Sequence, residues 1–316
     1  MRLRSARSAA AATVAVLAIL TAACGDGGGE DPSPTTSPAT DATVQAVIGS
    51  SDLAVGKQRF SFVILKDDVP VTEPSVYVRF FKLTGDSQQL VGEGPIPYEP
   101  VGTESLDNHD DDGHDATEVE IRGVYYAYVD FDEAGDWGAG FSIGGNYDPA
   151  SETRVRFAVA AEPQTVGVGD QAIAVDNLTL ADAPLEQIDT SPEPDEAFHQ
   201  VSIADAITSG KPAVIAFATP AFCQTRTCGP VMEVVRAAAA QAGDGLQFVH
   251  VEPYELDASG ELALRDGQLA LSDAGVAWNL PTEPWVFVVD SAGTVVARFD
   301  GPFALSELLA AIDQVA

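Results

Sequence analysis

At 316 residues the chain is longer than one ordinary domain, which runs to about 100–200 residues. Its 48 acidic residues against 16 basic ones give a formal charge of −32. That balance argues against nucleic acid and against adsorption on anionic membrane surfaces, since both would repel the protein. Hydrophobic residues make up 46% of the sequence, enough that at least one buried core is expected.

The first segment reads as an export signal and is set aside from the fold. Arg2, Arg4 and Arg7 precede an apolar run from Ala9 to Ala23, short of the roughly 20 residues that span a bilayer comfortably. The run ends in Leu20-Thr21-Ala22-Ala23-Cys24. This resembles the bacterial lipobox, with Thr21 where leucine is usual. The resemblance implies cleavage before Cys24, lipid on its thiol, and attachment to the extracytoplasmic face of the cell membrane. An ordinary secretory signal or an uncleaved anchor stays open, and each of these readings exports the protein. With Cys24 lipidated, the three cysteines reduce to one pair, Cys223 and Cys228, which can join in an oxidising compartment. The organisation expected is a signal peptide over 1–23, a flexible Gly/Pro/Ser/Thr linker over 24–43, a β-domain over 44–161, a connecting segment over 162–196 and a final domain over 197–316.

Strands are expected where β-branched and aromatic residues concentrate: Arg59–Leu65, Val76–Phe81, Val124–Val129, Trp137–Ile143 and Arg154–Ala160. Turn signals such as Thr84-Gly85-Asp86 and Gly144-Gly145-Asn146 separate them. Short strands without a helical stretch predict an all-β antiparallel sandwich. Ala134-Gly135-Asp136-Trp137 after a tyrosine-rich strand resembles the Ig-like modules of the YtkA and FixH type, in which Trp137 is a core anchor. Between these strands lies Asp107-Asn108-His109-Asp110-Asp111-Asp112-Gly113-His114-Asp115. His109 and His114 are metal candidates there, and a solvated acidic loop is the plain alternative.

The final domain alternates differently. A short helix is expected over Val201–Thr208, a buried strand over Ala213–Ala218, a helix over Val231–Ala242 between Pro230 and Gly243, and a strand over Leu246–Val251. Trp285–Val289 and Val295–Phe299 flank the turn Asp290-Ser291-Ala292-Gly293, and an amphipathic helix closes the chain over Phe303–Val315. This order predicts a parallel strand pair extended by an antiparallel hairpin, with helices on both faces.

Cys223 and Cys228 fall in the turn between the first of these strands and the helix after it. A helix N-terminus stabilises a thiolate, and Arg226 adds positive potential, so a lowered thiol pKa is expected. The stretch Phe217-Ala218-Thr219-Pro220-Ala221-Phe222-Cys223 and the stretch Glu283-Pro284-Trp285-Val286-Phe287-Val288-Val289-Asp290 resemble thioredoxin-like proteins. The resemblance implies an α/β thioredoxin-like fold, thiol–disulfide exchange on exported proteins through Cys223 and Cys228, and a cis peptide bond at Pro284 that offers backbone to a substrate. Two departures stand out. Four residues separate the cysteines where two are usual, and Gly229-Pro230 follow the second cysteine. A register reading Cys228-Gly229-Pro230-Val231 as the motif therefore stays open, and with it the identity of the attacking sulfur. Glu283, placed beside Pro284, would oppose thiolate formation. His250 and Glu252, at the end of the neighbouring strand, should point near the cysteines, His250 as a proton-transfer aid. No cofactor is required by this reading. The alternatives are copper held by Cys223, Cys228 and His250, as in the Sco-type copper chaperones the site partly resembles, and an adaptor whose disulfide is structural.

Overall fold

The computed structural model describes residues 43–101, 122–223 and 227–316. Cys24, His109, His114 and Arg226, named above as lipidation, metal and supporting candidates, lie outside the described residues. The strands that follow are β1 (Val44–Ile48), β2 (Gly56–Lys66), β3 (Val69–Pro70), β4 (Ser75–Thr84), β5 (Ser87–Pro100), β6 (Gly123–Phe131), β7 (Gly135–Ile143) and β8 (Thr153–Val159). Their alternation puts Phe60, Phe62, Phe80, Tyr125, Phe131, Trp137 and Phe141 into one buried cluster. Phe60 meets Phe80 edge-on at 5.1 Å between ring centroids, and Phe131 meets Trp137 so at 4.9 Å, the geometry that aromatic quadrupoles favour. Trp137 is buried, and its indole N–H donates to the Glu133 carbonyl at 3.1 Å.

The expected Ig-like sandwich is corrected here. The eight strands form one antiparallel sheet in the order β1-β2-β6-β5-β4-β7-β8, with β3 on β2, and not two separate sheets. The reason lies in β5. It is 14 residues long, carries Gly92, Gly94, Pro95 and Pro97, and pairs with β4 through a register shift at Phe80/Phe81. Such an irregularity bends a strand and raises its twist. Its last residues, Tyr98–Pro100, then reach β6 opposite Tyr125, Val124 and Gly123, and so join what would have been two sheets. The sheet curls almost into a barrel, because Ala54 bridges Ala160 and the Thr153 hydroxyl donates to the Val44 carbonyl.

The second sheet is four-stranded: β9 (Ala213–Phe217), β10 (Gln247–Val251), β13 (Trp285–Val289) and β14 (Val295–Asp300), in the order β10-β9-β13-β14. β9 and β10 are parallel, joined through α2 (Cys228–Ala242), whereas β13 runs antiparallel to both β9 and β14. The α/β thioredoxin-like expectation is corrected as well. The described residues are 40% strand and only 18% helical, too strand-rich for a clear α/β fold of that kind. Among the described residues, besides α2 only α4 (Leu305–Ile312) exceeds six residues, since α1 (Ile203–Thr208) and α3 (Asp273–Trp278) each have six. The cause is local. Between β10 and β13 the chain carries Pro253, Gly260, Gly267, Pro281 and Pro284, which break helices, and it folds there into a small hairpin, β11 (Leu264–Arg265) with β12 (Gln268–Leu269), and the short α3. No helix among the described residues is long and apolar enough to cross a membrane.

The two sheets are tied by buried charge. Arg59 of β2 pairs twice with Glu307 of α4, at 2.7 and 2.9 Å, and donates to the Pro302 carbonyl. Arg298 of β14 reaches Asp52 at 2.8 Å. Asp300, at the end of β14, accepts from the backbone N–H and the hydroxyl of Ser51.

Candidate functional site

All five residues of β9 are buried apolar side chains, so this strand sits at the sheet centre and delivers its C-terminal end as a fixed platform. The chain turns at Thr219, where the Phe222 N–H donates to the Thr219 carbonyl, and reaches Cys223. Cys223 and Cys228 are disulfide-bonded, with Cα atoms 6.0 Å apart, an ordinary span for such a bond. The two sulfurs are not equivalent. Cys228 is the first residue of α2 and is 0% exposed, while Cys223 is only partly buried. The Cys228 backbone N–H donates to Cys223 Sγ at 3.3 Å. An N–H at the start of a helix, aimed at a sulfur, favours its thiolate form once the bond is reduced.

Behind this turn lies a second set of polar groups. His250 in β10 is fully buried, and its Nε2 lies 3.0 Å from the Ala218 carbonyl. A carbonyl only accepts, so Nε2 carries a proton. The other nitrogen, Nδ1, faces Asp189 Oδ2 at 3.5 Å. His199, at the end of a 3-10 turn over Glu196–His199, brings Nε2 to 3.0 Å from the same oxygen. Asp189 Oδ1 accepts from the Ser191 N–H at 2.8 Å. Burial alone would push the Asp189 carboxyl up, but the hydrogen bond with His199 and the charge of the close His250 ring outweigh it and hold the acid far below the usual carboxylate range. Burial works against the charged form of His250, yet Asp189, with Glu252 and the Ala218 carbonyl, keeps its pKa above the ordinary histidine value.

Glu252 closes the connection to the cysteine turn. Its Oε1 accepts from the backbone N–H and the hydroxyl of Thr190, at 2.8 and 2.7 Å, and that hydroxyl in turn accepts from the Ala221 N–H at 3.2 Å. Burial raises the Glu252 pKa against the pull of His250 and Thr190. His250 and Glu252 also line a cleft of about 790 Å³ with Asp176, Asp205, Tyr254 and Ser272. The cysteines do not line it.

Cys223 and Cys228 thus stand together, while His250 and Glu252 reach the turn through Ala218 and Thr190, with the His250 ring directed to Asp189. The Glu283–Pro284 bond is cis. Pro284 is buried, one position past the pairing of Trp285 with Phe217. Glu283 is half-buried and accepts from the Tyr254 hydroxyl at 3.0 Å. Burial raises its pKa, with Tyr254 opposing, and burial with Glu283 pushes Tyr254 up to about 12. Asp189, Thr190 and His199 were not legible as site residues, because they lie in or beside a Pro- and Asp-punctuated stretch that reads as connection. One signal was present: the chain has four histidines, and His199 stands four residues before Ile203, the first residue of α1. No protein-family model matches this chain, and no curated protein matches it.

Proposed function

We propose that this chain is a membrane-anchored, extracytoplasmic thiol–disulfide oxidoreductase, acting on exported proteins through Cys223 and Cys228. The observation that carries the reading is the asymmetry of the pair: one sulfur reachable and backed by a helix amide, the other sealed in the first turn of α2. In the oxidising direction a substrate thiolate attacks Cys223 Sγ. The bond to Cys228 breaks with its electron pair left on the Cys228 sulfur, and a mixed disulfide forms. A second substrate thiolate then attacks the substrate sulfur of that mixed disulfide and releases Cys223 as a thiolate. The substrate dithiol loses two electrons, the protein pair gains them, and the two protein sulfurs take up protons. The reverse sequence reduces a substrate disulfide.

Copper held by the two cysteines and His250 gains no support, because the His250 nitrogens are directed at Asp189 and the Ala218 carbonyl. The test is trapping in cells. In the reverse direction Cys223 attacks a substrate disulfide and Cys228 resolves the mixed disulfide, so Cys228→Ser is expected to accumulate dithiothreitol-sensitive conjugates of Cys223 with exported proteins. Cys223→Ser is expected to accumulate none. Equal trapping by both variants, or no exchange of the purified disulfide with dithiols, overturns the reading.

A further inference from the structure

The Asp189 cluster holds more unmet bonding capacity than a structural hydrogen-bond network needs. Buried polar side-chain atoms are nearly always paired, yet His199 Nδ1, His250 Nδ1 and Glu252 Oε2 are buried with no hydrogen-bond partner among the described residues. His250 Nδ1 in particular points at Asp189 Oδ2 but stays 3.5 Å away, within range of an ion pair and outside good hydrogen-bond geometry. Both histidines among the described residues converge on this one carboxylate, from separate segments of the chain.

We infer that Asp189, His199 and His250 bind one divalent transition-metal ion of the zinc class through two imidazoles and one carboxylate. Spacing, donor type and surroundings support this. One ligand atom from each of the three residues lies within 4.8 Å of the others, and the two ring nitrogens stand 3.0 and 3.5 Å from Asp189 Oδ2. Around a tetrahedral ion with bonds of about 2.0–2.1 Å, ligand atoms sit roughly 3.3 Å apart, between the two observed values. Two imidazoles with a carboxylate suit zinc and its neighbours, whereas calcium and magnesium call for oxygen sets. The outer contacts fit as well. His250 donates its far ring N–H to the Ala218 carbonyl, and Asp189 Oδ1 is held by the Ser191 N–H, the support that orients metal ligands elsewhere. His250 also lines the cleft beside Glu252.

This site does not rest on exchange chemistry at the cysteines, and its test keeps the two apart. The full chain is stripped with a chelator and titrated with Zn²⁺ against a chromophoric competitor. One equivalent is expected to bind, equally in the Cys223→Ser/Cys228→Ser variant. Binding is expected to weaken more than about 100-fold in His199→Gln and Asp189→Asn, since the first loses a ligand outright. Zinc that binds without stoichiometry, binding lost with the cysteines, or binding unchanged in His199→Gln overturns the site. Should those variants not fold, Co²⁺ in the unaltered protein decides. Intense visible bands of a four-coordinate ion without thiolate charge transfer support it. The weak bands of six-coordinate cobalt overturn it.

Discussion

Two buried charge clusters in this protein solve the same problem in opposite ways. At the junction of the sheets, Arg59 and Glu307 face each other through two parallel hydrogen bonds, Pro302 and Ala304 take up further capacity, and the guanidinium lies over the Tyr126 ring at 5.0 Å. At the edge of β10, Asp189 is shared between two histidines: His199 Nδ1 has no hydrogen-bond partner among the described residues, and His250 Nδ1 stays 3.5 Å from the carboxylate. Burying a charge is tolerable when it is paired and hydrogen-bonded, and costly otherwise. The first cluster meets that condition except at Arg59 Nη1, which is buried without a hydrogen-bond partner among the described residues, and reads as architecture. The second leaves capacity open next to the cysteine turn, and open capacity of this kind concentrates where chemistry is done.

The sharpest way to break this contrast is to remove one half of the well-satisfied pair. Arg59→Met leaves the Glu307 carboxylate buried with only the Ala304 N–H beside it, and is expected to cost about 3–5 kcal/mol of unfolding free energy. Urea unfolding measures it. Arg59→Met combined with Glu307→Leu removes both charges and is expected to recover most of the loss, as apolar replacement of buried pairs often does. A single variant within about 1 kcal/mol of the parent would make this junction no more structural than a surface pair.

How far the sequence carries this contrast depends on the kind of information each residue needs. Alternation in Arg59–Leu65 says which side of β2 is buried, and aromatic content says that Trp137 anchors a core. Neither says how many sheets the strands make. That was decided by the bend in β5, where glycines and prolines among strand residues read locally as turns. The cysteine turn was legible because its spacing, the strand before it and the helix after it are all local. Asp189 and His199 were not. The stretch that holds them has no period, and its place comes from contacts far along the chain, such as Gly169 and Ala172 donating to Val295 and Gly293. The span between β10 and β13, to which no element was assigned, holds the β11–β12 hairpin and the six-residue α3.

The junction contains a further member that is less well satisfied, and it gives the contrast an intermediate case. Asp300 is 9% exposed, and burial pushes its pKa up to about 6 despite the Ser51 hydrogen bonds and the nearby Arg59 and Arg298. A carboxyl raised in the folded state binds its proton more tightly folded than unfolded. Its contribution is therefore complete below the ordinary carboxylate pKa near 4 and is lost as pH rises through about 6. Relative to Asp300→Asn, the parent is expected to gain roughly 1–3 kcal/mol between pH 7.5 and pH 4. The difference between the two proteins' urea-unfolding curves across that range reads it. A difference that stays flat would place the Asp300 carboxylate in a better-solvated setting than its burial indicates.

The smallest expected effect lies at the link between the Asp189 segment and the cysteine turn. Thr190 is the one residue that bonds both Glu252 and the Ala221 N–H through the same hydroxyl. Thr190→Val keeps the shape and the backbone hydrogen bond to Glu252 but removes both hydroxyl bonds, at a cost of about 1–2 kcal/mol in stability. If the buried acid and the turn are coupled through this hydroxyl, the same change loosens residues 219–223 and alters reactivity at Cys223. The rate at which a small dithiol reduces the disulfide is then expected to change several-fold in Thr190→Val. A substitution of similar cost far from the turn, such as Val76→Ala within the aromatic core, should leave that rate unchanged. An identical rate in both variants would show that the two clusters differ only in how well they are satisfied, and that the open one is not wired to the sulfurs.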